Sequence, residues 1–256
     1  MDRVHTVVPP NEQELLTMVF GGAALPAKAR RLPGQDDTRQ LHLAALLLIL
    51  LAKDPHLYTH SRRVRLLTHH LAYGVLHLSQ DEAMPMELAA LVHDIGKLAI
   101  LDEVLQKASP LTQAEFAHIK QHPALGAVIL RQLGMPTQVT GVVYHHHEHW
   151  DGAGYPSGLQ GEAIPLGARI VAVADAFEVM TSHRPYQTPR TPAQALEELR
   201  RCAGTQFDPF LVERFCTSLE ADLPGTSLSE PGRYAGTHDD GVLAVVARKA
   251  MRQAAH

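Results

Sequence analysis

The sequence predicts an all-α fold, because helix start signals and helical periodicity recur along the chain while runs typical of strands are scarce. An N-cap position followed by proline at the first helical position is predicted at four places: Asp54-Pro55, His122-Pro123, Thr191-Pro192 and Asp208-Pro209. Thr112 and Glu115 form a capping box, and Ser79 with Glu82 is a candidate for another. Apolar residues between Leu88 and Ile95 follow helical spacing.

These signals place the helices along the chain. They are expected near 38–53, 55–78, 85–95, 112–121, 123–133, 137–147, 167–181, 192–203 and 207–219. Gly96 is placed to end the helix that begins near 85. Glycine and proline are frequent between Trp150 and Pro165, which predicts a structured loop there.

Composition excludes several classes of protein. The 256 residues are 45% hydrophobic, which is enough to fill a core, and the net charge of −4 offers no basic field for a long nucleic acid. Two cysteines, Cys202 and Cys216, fit a reducing cytosol better than a disulfide framework. The first residues do not resemble a signal peptide, and the longest apolar run, Leu43–Ala52, is too short to span a bilayer. We therefore expect a cytoplasmic protein without a membrane segment.

Two acidic residues stand in strongly apolar helical surroundings. His93-Asp94 follows an apolar helical run, and Asp175 lies within Val-Ala-Val-Ala-Asp-Ala-Phe. Burying an unpaired carboxylate costs several kcal/mol, so each aspartate needs a strong partner, and a divalent metal is one such partner. An arginine is the alternative partner.

The histidines favour the metal. The chain has 17, most of them between His42 and His183, and four stand at separate points around the aspartates: His60, His122, His146 and His147. A single core histidine is more often hydrogen-bonded than metal-bound, but this many ligand types together favour a metal site. Mixed imidazole and carboxylate ligation suits Fe or Mn, with Zn, Ni or Mg as alternatives, and the lack of cysteine ligands argues against structural zinc.

The order of these motifs resembles the HD-GYP subgroup of the HD phosphohydrolase superfamily. The matching residues are His60, His93-Asp94 with Gly96-Lys97, His122-Pro123 with Gly126, His146-His147-Glu148, Asp151-Gly152-Ala153-Gly154-Tyr155-Pro156, Ala168-Arg169-Ile170, Asp175 and Arg184-Pro185-Tyr186. The resemblance covers roughly residues 40 to 215, and its motifs are specific because several occur in the right order at compatible spacings.

The resemblance implies an HD-domain helical bundle with an HD-GYP loop extension. On this basis we expect a partly ordered N-terminal segment over 1–35, a catalytic domain over 36–220, and a flexible linker with a short C-terminal helix over 221–256.

The resemblance also implies a centre of two or three divalent metal ions. Carried over by position, the ligands are His60, His93, Asp94, His122, His146, His147 and Asp175, with Asp94 bridging two metals. Some family members use a glutamate one helical turn before the first histidine for a third metal. His56 occupies that position here and is an alternative third-metal ligand; otherwise it packs or is exposed.

The expected activity is hydrolysis of cyclic di-GMP to pGpG and/or GMP. Two metals about 3.5–4 Å apart can hold a bridging hydroxide that attacks phosphorus, with Asp94 and Lys97 as the catalytic residues. Lys97 and Arg184 are expected to contact a substrate phosphate unless they form surface salt bridges. Tyr155 is expected to shape the pocket or touch a base unless its role is structural, and Glu148 and Asp151 to support the ligands from outside.

Two departures from the family pattern leave alternatives open. Gln187 stands where many members carry Lys or Arg, and His149 stands where Lys or Arg usually follows His-His-Glu. The alternatives to cyclic di-GMP hydrolysis are a superfamily phosphohydrolase acting on another cyclic dinucleotide or nucleotide, and a cyclic di-GMP-binding scaffold of weak activity. A homodimer or a diguanylate cyclase partner is compatible with the sequence, which fixes neither the number of metals, the final product nor the regulatory input.

Overall fold

The all-α prediction is confirmed in the computed structural model. The structure describes residues 45, 47–49, 52, 54–107, 109–183 and 188–222. Within these residues the chain is helical, and an isolated bridge between Ala203 and Phe207 is the nearest approach to a strand. The segments expected over 1–35 and beyond residue 222 lie outside the described residues, so the domain boundaries stay a prediction.

Nine α-helices follow one another along this part of the chain. They are α1 (Pro55–His69), α2 (Gln80–Val92), α3 (Asp102–Leu105), α4 (Gln113–Ile119), α5 (His122–Gln132), α6 (Thr137–His145), α7 (Leu166–Thr181), α8 (Pro192–Arg201) and α9 (Pro209–Asp222). A π-helical turn covers His70–Val75, and short 3-10 segments cover Ile95–Ala99 and Gly161–Ala163. The expected loop between α6 and α7 is therefore present, with only one short helical turn in it.

Most of the predicted helix starts are present with their caps. The Asp54 side chain accepts from the backbone N–H of His56, and the capping boxes at Thr112 and Thr191 are both complete. Oδ1 of Asp208 accepts from the backbone N–H of Phe210 at 2.9 Å. Each cap satisfies donors that a helix N-terminus leaves without an intrahelical partner.

The prediction of His122 as an N-cap is wrong. Helix α5 begins at His122 itself, with Gln121 as its cap. The imidazole cannot cap the helix because its Nδ1 donates to the carbonyl of Ile119, at 2.8 Å, and its Nε2 faces the interior.

The bounds of two other predicted helices also differ. Helix α2 begins at Gln80 rather than near 85, because the capping box of Ser79 and Glu82 sets its start. Pro85 is tolerated one turn later since the carbonyl that loses its donor, that of Asp81, belongs to an exposed residue. The helix ends at Val92, so that Asp94 lies in a turn before the 3-10 segment. The helix expected over 55–78 passes into the π-helical turn at His70.

The core lies where α1, α2, α6 and α7 meet, with α8 and α9 packed against the other side of α7. Its largest fully buried side chains include Leu67, Ile95, Phe177 and Phe215. Burying each of these contributes roughly 2–3 kcal/mol relative to exposure. In the part of the chain that the structure describes, no helix has the length and apolarity needed to cross a membrane.

Close backbone packing holds the 3-10 segment against α5. A Cβ atom added at Gly96 would lie 1.9 Å from the carbonyl oxygen of His122 and 2.6 Å from the backbone nitrogen of Gly126. Both atoms belong to the backbone and cannot move independently of the helix. Only glycine therefore fits at position 96, two residues after Asp94.

We expect Gly96→Ala to lower the free energy of unfolding by about 3 kcal/mol, because the methyl group must push α5 away. Gly141→Ala is the matched control, since an added Cβ there meets no atom within 4 Å. In the middle of α6 this control should be neutral or stabilising by up to about 1 kcal/mol. Urea unfolding followed by circular dichroism measures both; equal stability of the two variants would contradict the packing argument.

Candidate metal centre

Four histidines from different parts of the bundle surround Asp94 with their Nε2 atoms. His60 comes from α1, His93 from the end of α2, His122 from the start of α5 and His146 from the end of α6. Nε2 of His93 lies 3.4 Å from Oδ2 of Asp94, and Nε2 of His122 lies 3.4 Å from Oδ1. The two oxygens of one carboxylate thus face different histidines.

The opposite nitrogen of three of these imidazoles is fixed by the backbone of the preceding helical turn. Nδ1 of His93, His122 and His146 donates to the backbone carbonyl three residues earlier, at 2.8, 2.8 and 2.7 Å respectively. A carbonyl oxygen can only accept, so Nδ1 carries the proton in each ring. In the neutral ring, Nε2 then presents a lone pair to the interior.

These lone pairs face one another at short range. Nε2 of His122 lies 3.3 Å from Nε2 of His146, and burial lowers the pKa of both rings, so neither is expected to be protonated near neutral pH. Two acceptors at this separation repel unless a cation lies between or beside them. A metal ion that takes up both lone pairs relieves the repulsion, which is why this donor set fits a metal.

His60 is held differently. Its Nδ1 lies 2.5 Å from Oε2 of Glu178, and its Nε2 lies 3.2 Å from Oδ1 of Asp175 and 3.3 Å from Nε2 of His93. Burial lowers the pKa of His60, but the two carboxylates outweigh burial and raise this pKa to about 10. A proton on Nε2 therefore balances the negative charge at the position where a bound cation would contact the ring.

Asp94 is charged although it is almost completely buried. Burial alone would raise its pKa, but Lys97, with Nζ 2.6 Å from Oδ2, and the neighbouring His93 hold the pKa well below its usual value. Asp175 behaves in the same way: burial opposes ionisation, and the hydrogen bond with His60 lowers the pKa of the carboxyl. Both carboxylates are thus available as anionic ligands.

The described residues contain two groups of candidate ligands on either side of Asp94. His60, His93 and Asp175 form one, and His122, His146 and His147 form the other; within each group the ligand atoms lie within 4.8 Å of one another. Asp94 forms a further group with His93 and His146. The seven ligands predicted from the sequence are therefore brought together, and these imidazoles and carboxylates could hold divalent cations.

Other predicted site residues occupy different places. His56 is exposed and belongs to none of the candidate ligand groups found among the described residues. Arg184 lies outside the described residues. The Tyr155 ring stacks on His147 with centroids 4.9 Å apart, and Nζ of Lys120 lies 5.0 Å from its centroid. Tyr155 therefore forms a wall of the site beside a candidate ligand.

Glu148 and Asp151 shape the loop that carries Tyr155. The buried carboxylate of Glu148 accepts from the backbone N–H groups of Ser157 and Leu159, at 2.7 and 3.1 Å. Asp151 is exposed and its Oδ1 accepts from the N–H of Ala153. Glu148 thus fixes the loop against the end of α6, and Asp151 closes a local turn.

Glu178 was not among the site residues predicted from the sequence. This buried residue pairs with His60, accepts from Oγ of Ser182 and lies 3.5 Å from Nη1 of Arg63. The signal was present, because Glu178 follows Asp175 by three residues in the same apolar helix and so faces the same side. It is the carboxylate that orients the first histidine of the site.

Comparison with known proteins identifies the family. The sequence pattern of the HD domain family matches residues 44–211. The chain therefore belongs to the HD domain family, as the resemblance predicted. The HDG"Y"P protein Bd1817 from Bdellovibrio bacteriovorus has a similar fold, with a TM-score of 0.53 at 21% identity over 64% of this chain and 52% of that chain.

Curated relatives are cyclic dinucleotide phosphodiesterases. A cyclic di-GMP phosphodiesterase of Thermotoga maritima is 38% identical over 165 residues, which cover 64% of this chain and 45% of the relative. The 3'3'-cGAMP-specific phosphodiesterase 2 of Vibrio cholerae is 41% identical over 158 residues, or 60% of this chain and 30% of the relative. The matched part spans less than half the length of these relatives.

We expect Glu178→Gln to weaken metal affinity about tenfold, because the neutral amide no longer stabilises the imidazole of His60 as a charged carboxylate does. Titration of metal-free protein with Mn²⁺, followed by calorimetry, measures the change. Glu87→Gln is the matched control: Glu87 also accepts from a histidine, with Oε1 2.7 Å from Nδ1 of His69, but outside the candidate ligand groups. A similar loss in both variants would mean that Glu178 has no specific role.

Proposed function

We propose that this chain is a metal-dependent phosphodiesterase that hydrolyses cyclic di-GMP to pGpG and/or GMP. The observation that carries the proposal is that the two oxygens of Asp94 each lie 3.4 Å from a histidine of a different candidate ligand group, His93 in one group and His122 in the other. This arrangement suits two divalent cations, most consistently Fe or Mn because the ligands are imidazoles and carboxylates without cysteine. When bound, such a pair of cations would activate water and neutralise charge on the phosphodiester.

The protein's own part is to hold most of these ligands in the protonation state that a cation requires, with a lone pair or a negative charge directed at the centre. The Nδ1 hydrogen bonds keep the Nε2 lone pairs of His93, His122 and His146 directed at the centre. Asp94 and Asp175 remain anionic, since their pKa values are lowered. The site therefore needs little reorganisation when it takes up cations and an anionic substrate.

Lys97 is the proposed phosphate contact. Its Nζ pairs with Oδ2 of Asp94 at 2.6 Å, yet the side chain is 27% exposed and can reach solvent at the mouth of the site. Once the carboxylate is shared with cations, the ammonium group is free to donate to a non-bridging phosphate oxygen. Tyr155 stacks on His147, and burial raises the pKa of Tyr155 to about 12. Its side chain therefore stays neutral beside the candidate ligands.

Hydrolysis of 3'3'-cGAMP is the second candidate, and one observation favours it. The relative from Vibrio cholerae that is 41% identical carries that specificity in its name. Gln187, where many HD-GYP members carry Lys or Arg, leaves room for a substrate other than cyclic di-GMP. The two activities use the same metal chemistry and differ in the base that the site accepts.

We expect the anaerobically purified protein to contain at least two Fe or Mn per chain and to convert cyclic di-GMP to pGpG or GMP. Asp94→Ala should lose both the metal and the turnover, because it removes the shared carboxylate. Lys97→Ala should retain metal but lose about 10–100-fold in kcat/KM, the value of a charge-assisted hydrogen bond. Metal analysis and product chromatography measure these quantities.

Lys107→Ala is the control for the lysine substitution, since Lys107 forms its ion pair with Glu115 instead of Asp94. It should leave metal content and turnover unchanged. A fully metallated wild-type protein that leaves both cyclic di-GMP and 3'3'-cGAMP intact would overturn the proposed function. Tight cyclic di-GMP binding in that case would point to the scaffold alternative.

A further inference from the structure

A cavity of about 350 Å³ opens directly beside the metal centre. His147 and Asp175 line it, and Arg190, Glu198 and Gln206 line it as well. Its volume is at the lower end of the range of small-molecule sites, about 300–1,000 Å³, and so suits part of a dinucleotide. Arg190, Glu198 and Gln206 were not among the site residues predicted from the sequence.

One face of α7 forms an apolar wall of this cavity. Ala172, Ala176, Val179 and Met180 line it at helical spacing, together with Asp175. The side chains of the two alanines are small and leave space beside the candidate ligands. A flat, apolar group such as a nucleobase fits against a wall of this kind.

Arg190 carries the positive charge among the described residues that line the cavity. Its Nη1 lies 3.3 Å from Oε2 of Glu198 and 3.6 Å from Sδ of Met180, and its side chain is 43% exposed. Within the part of the chain that the structure describes, these contacts use Nη1 alone, so Nε and Nη2 remain as donors. Glu198 is meanwhile held by Arg201, through bonds of 2.5 and 3.0 Å.

Arg190 lies beside the end of α7, at a distance from the candidate ligands that suits the length of a nucleoside. Its backbone N–H donates to the carbonyl of Met180 at 2.8 Å, which places it beside the last turn of the helix. Met180 lies five residues after Asp175, or about 7.5 Å along the helix axis. A phosphate at the metal centre would therefore leave its attached base close to the guanidinium.

We propose that this cavity is the subsite for one guanine base of the substrate and that Arg190 reads that base. The inference rests on the proposed phosphodiesterase function and adds the group that sets its base preference. Guanine presents two acceptors, O6 and N7, to a guanidinium, whereas adenine presents one acceptor and one donor. Arg190 therefore favours guanine over adenine at this position.

The test compares steady-state kinetics on cyclic di-GMP, 3'3'-cGAMP and cyclic di-AMP. We expect Arg190→Gln to raise KM for cyclic di-GMP about tenfold or more, as the loss of a bidentate contact to guanine predicts, with kcat changed less than twofold. The preference for cyclic di-GMP over cyclic di-AMP should fall by the same factor.

Arg201→Gln is the matched control. Arg201 also pairs with Glu198, but it is not among the residues that line the cavity, and its side chain is 69% exposed. It should leave KM and base preference within twofold of wild type. Val179→Phe, which fills the cavity from its apolar wall, should raise KM as Arg190→Gln does while metal content stays unchanged.

The outcomes separate the two proposals. An active wild type whose base preference is the same in Arg190→Gln, or is altered equally in Arg201→Gln, overturns the guanine subsite and leaves the phosphodiesterase intact. A metallated wild type without turnover on any of the three substrates overturns the function itself, and with it the subsite. A loss of guanine preference confined to Arg190→Gln, together with a raised KM in Val179→Phe, supports the subsite.

Discussion

The buried carboxylate of Asp94 is the constraint on which the rest of the structure depends. It is 3% exposed, yet it stays ionised because Lys97 and a ring of histidines surround it. An ionised group in such surroundings costs several kcal/mol unless its partners are fixed in place. Helices α2, α5 and α6 each end or begin so that one histidine contacts this centre, and α1 contributes His60 from within its length. The close approach of Gly96 to α5 holds the segment that follows Asp94 in place.

The helices also set the protonation state of the centre. When Nδ1 of a histidine donates to the carbonyl three residues earlier, the same backbone that positions the ring decides which nitrogen faces inward. This works at His93, His122 and His146 because the accepting carbonyl in each case lies in the last turn of a helix, α2, α4 or α6, and is left without an intrahelical donor. His60 lies within α1, where the carbonyls are already bonded, and Glu178 supplies the acceptor instead.

The sequence predicted the fold class because helix signals depend on residue type and local spacing, and the family resemblance supplied the seven candidate ligands by position. Capping residues such as Thr112 and Thr191 act within four residues and could be read directly. Glu178 was not predicted because its partner, His60, is 118 residues away in the sequence, and because Asp175 already gave the same apolar helix a carboxylate ligand.

The capping role predicted for His122 was wrong for a related reason, since its imidazole contacts Ile119 and the candidate metal centre instead. The cavity could not be predicted at all, because its walls come from segments that only tertiary packing brings together.

Helix α7 contributes both to the candidate metal centre and to the wall of the proposed base subsite. Asp175 faces the candidate ligands, and Glu178, three residues on, reaches His60. Ala172, Ala176 and Val179 line the adjacent cavity. Because an α-helix has 3.6 residues per turn, Glu178 and these three residues point in adjacent directions, and Asp175, which also lines the cavity, lies at the boundary between them. In the proposed guanine subsite, substitutions along the cavity face would therefore alter which base is accepted while Asp175 and Glu178 keep their places at the candidate ligands.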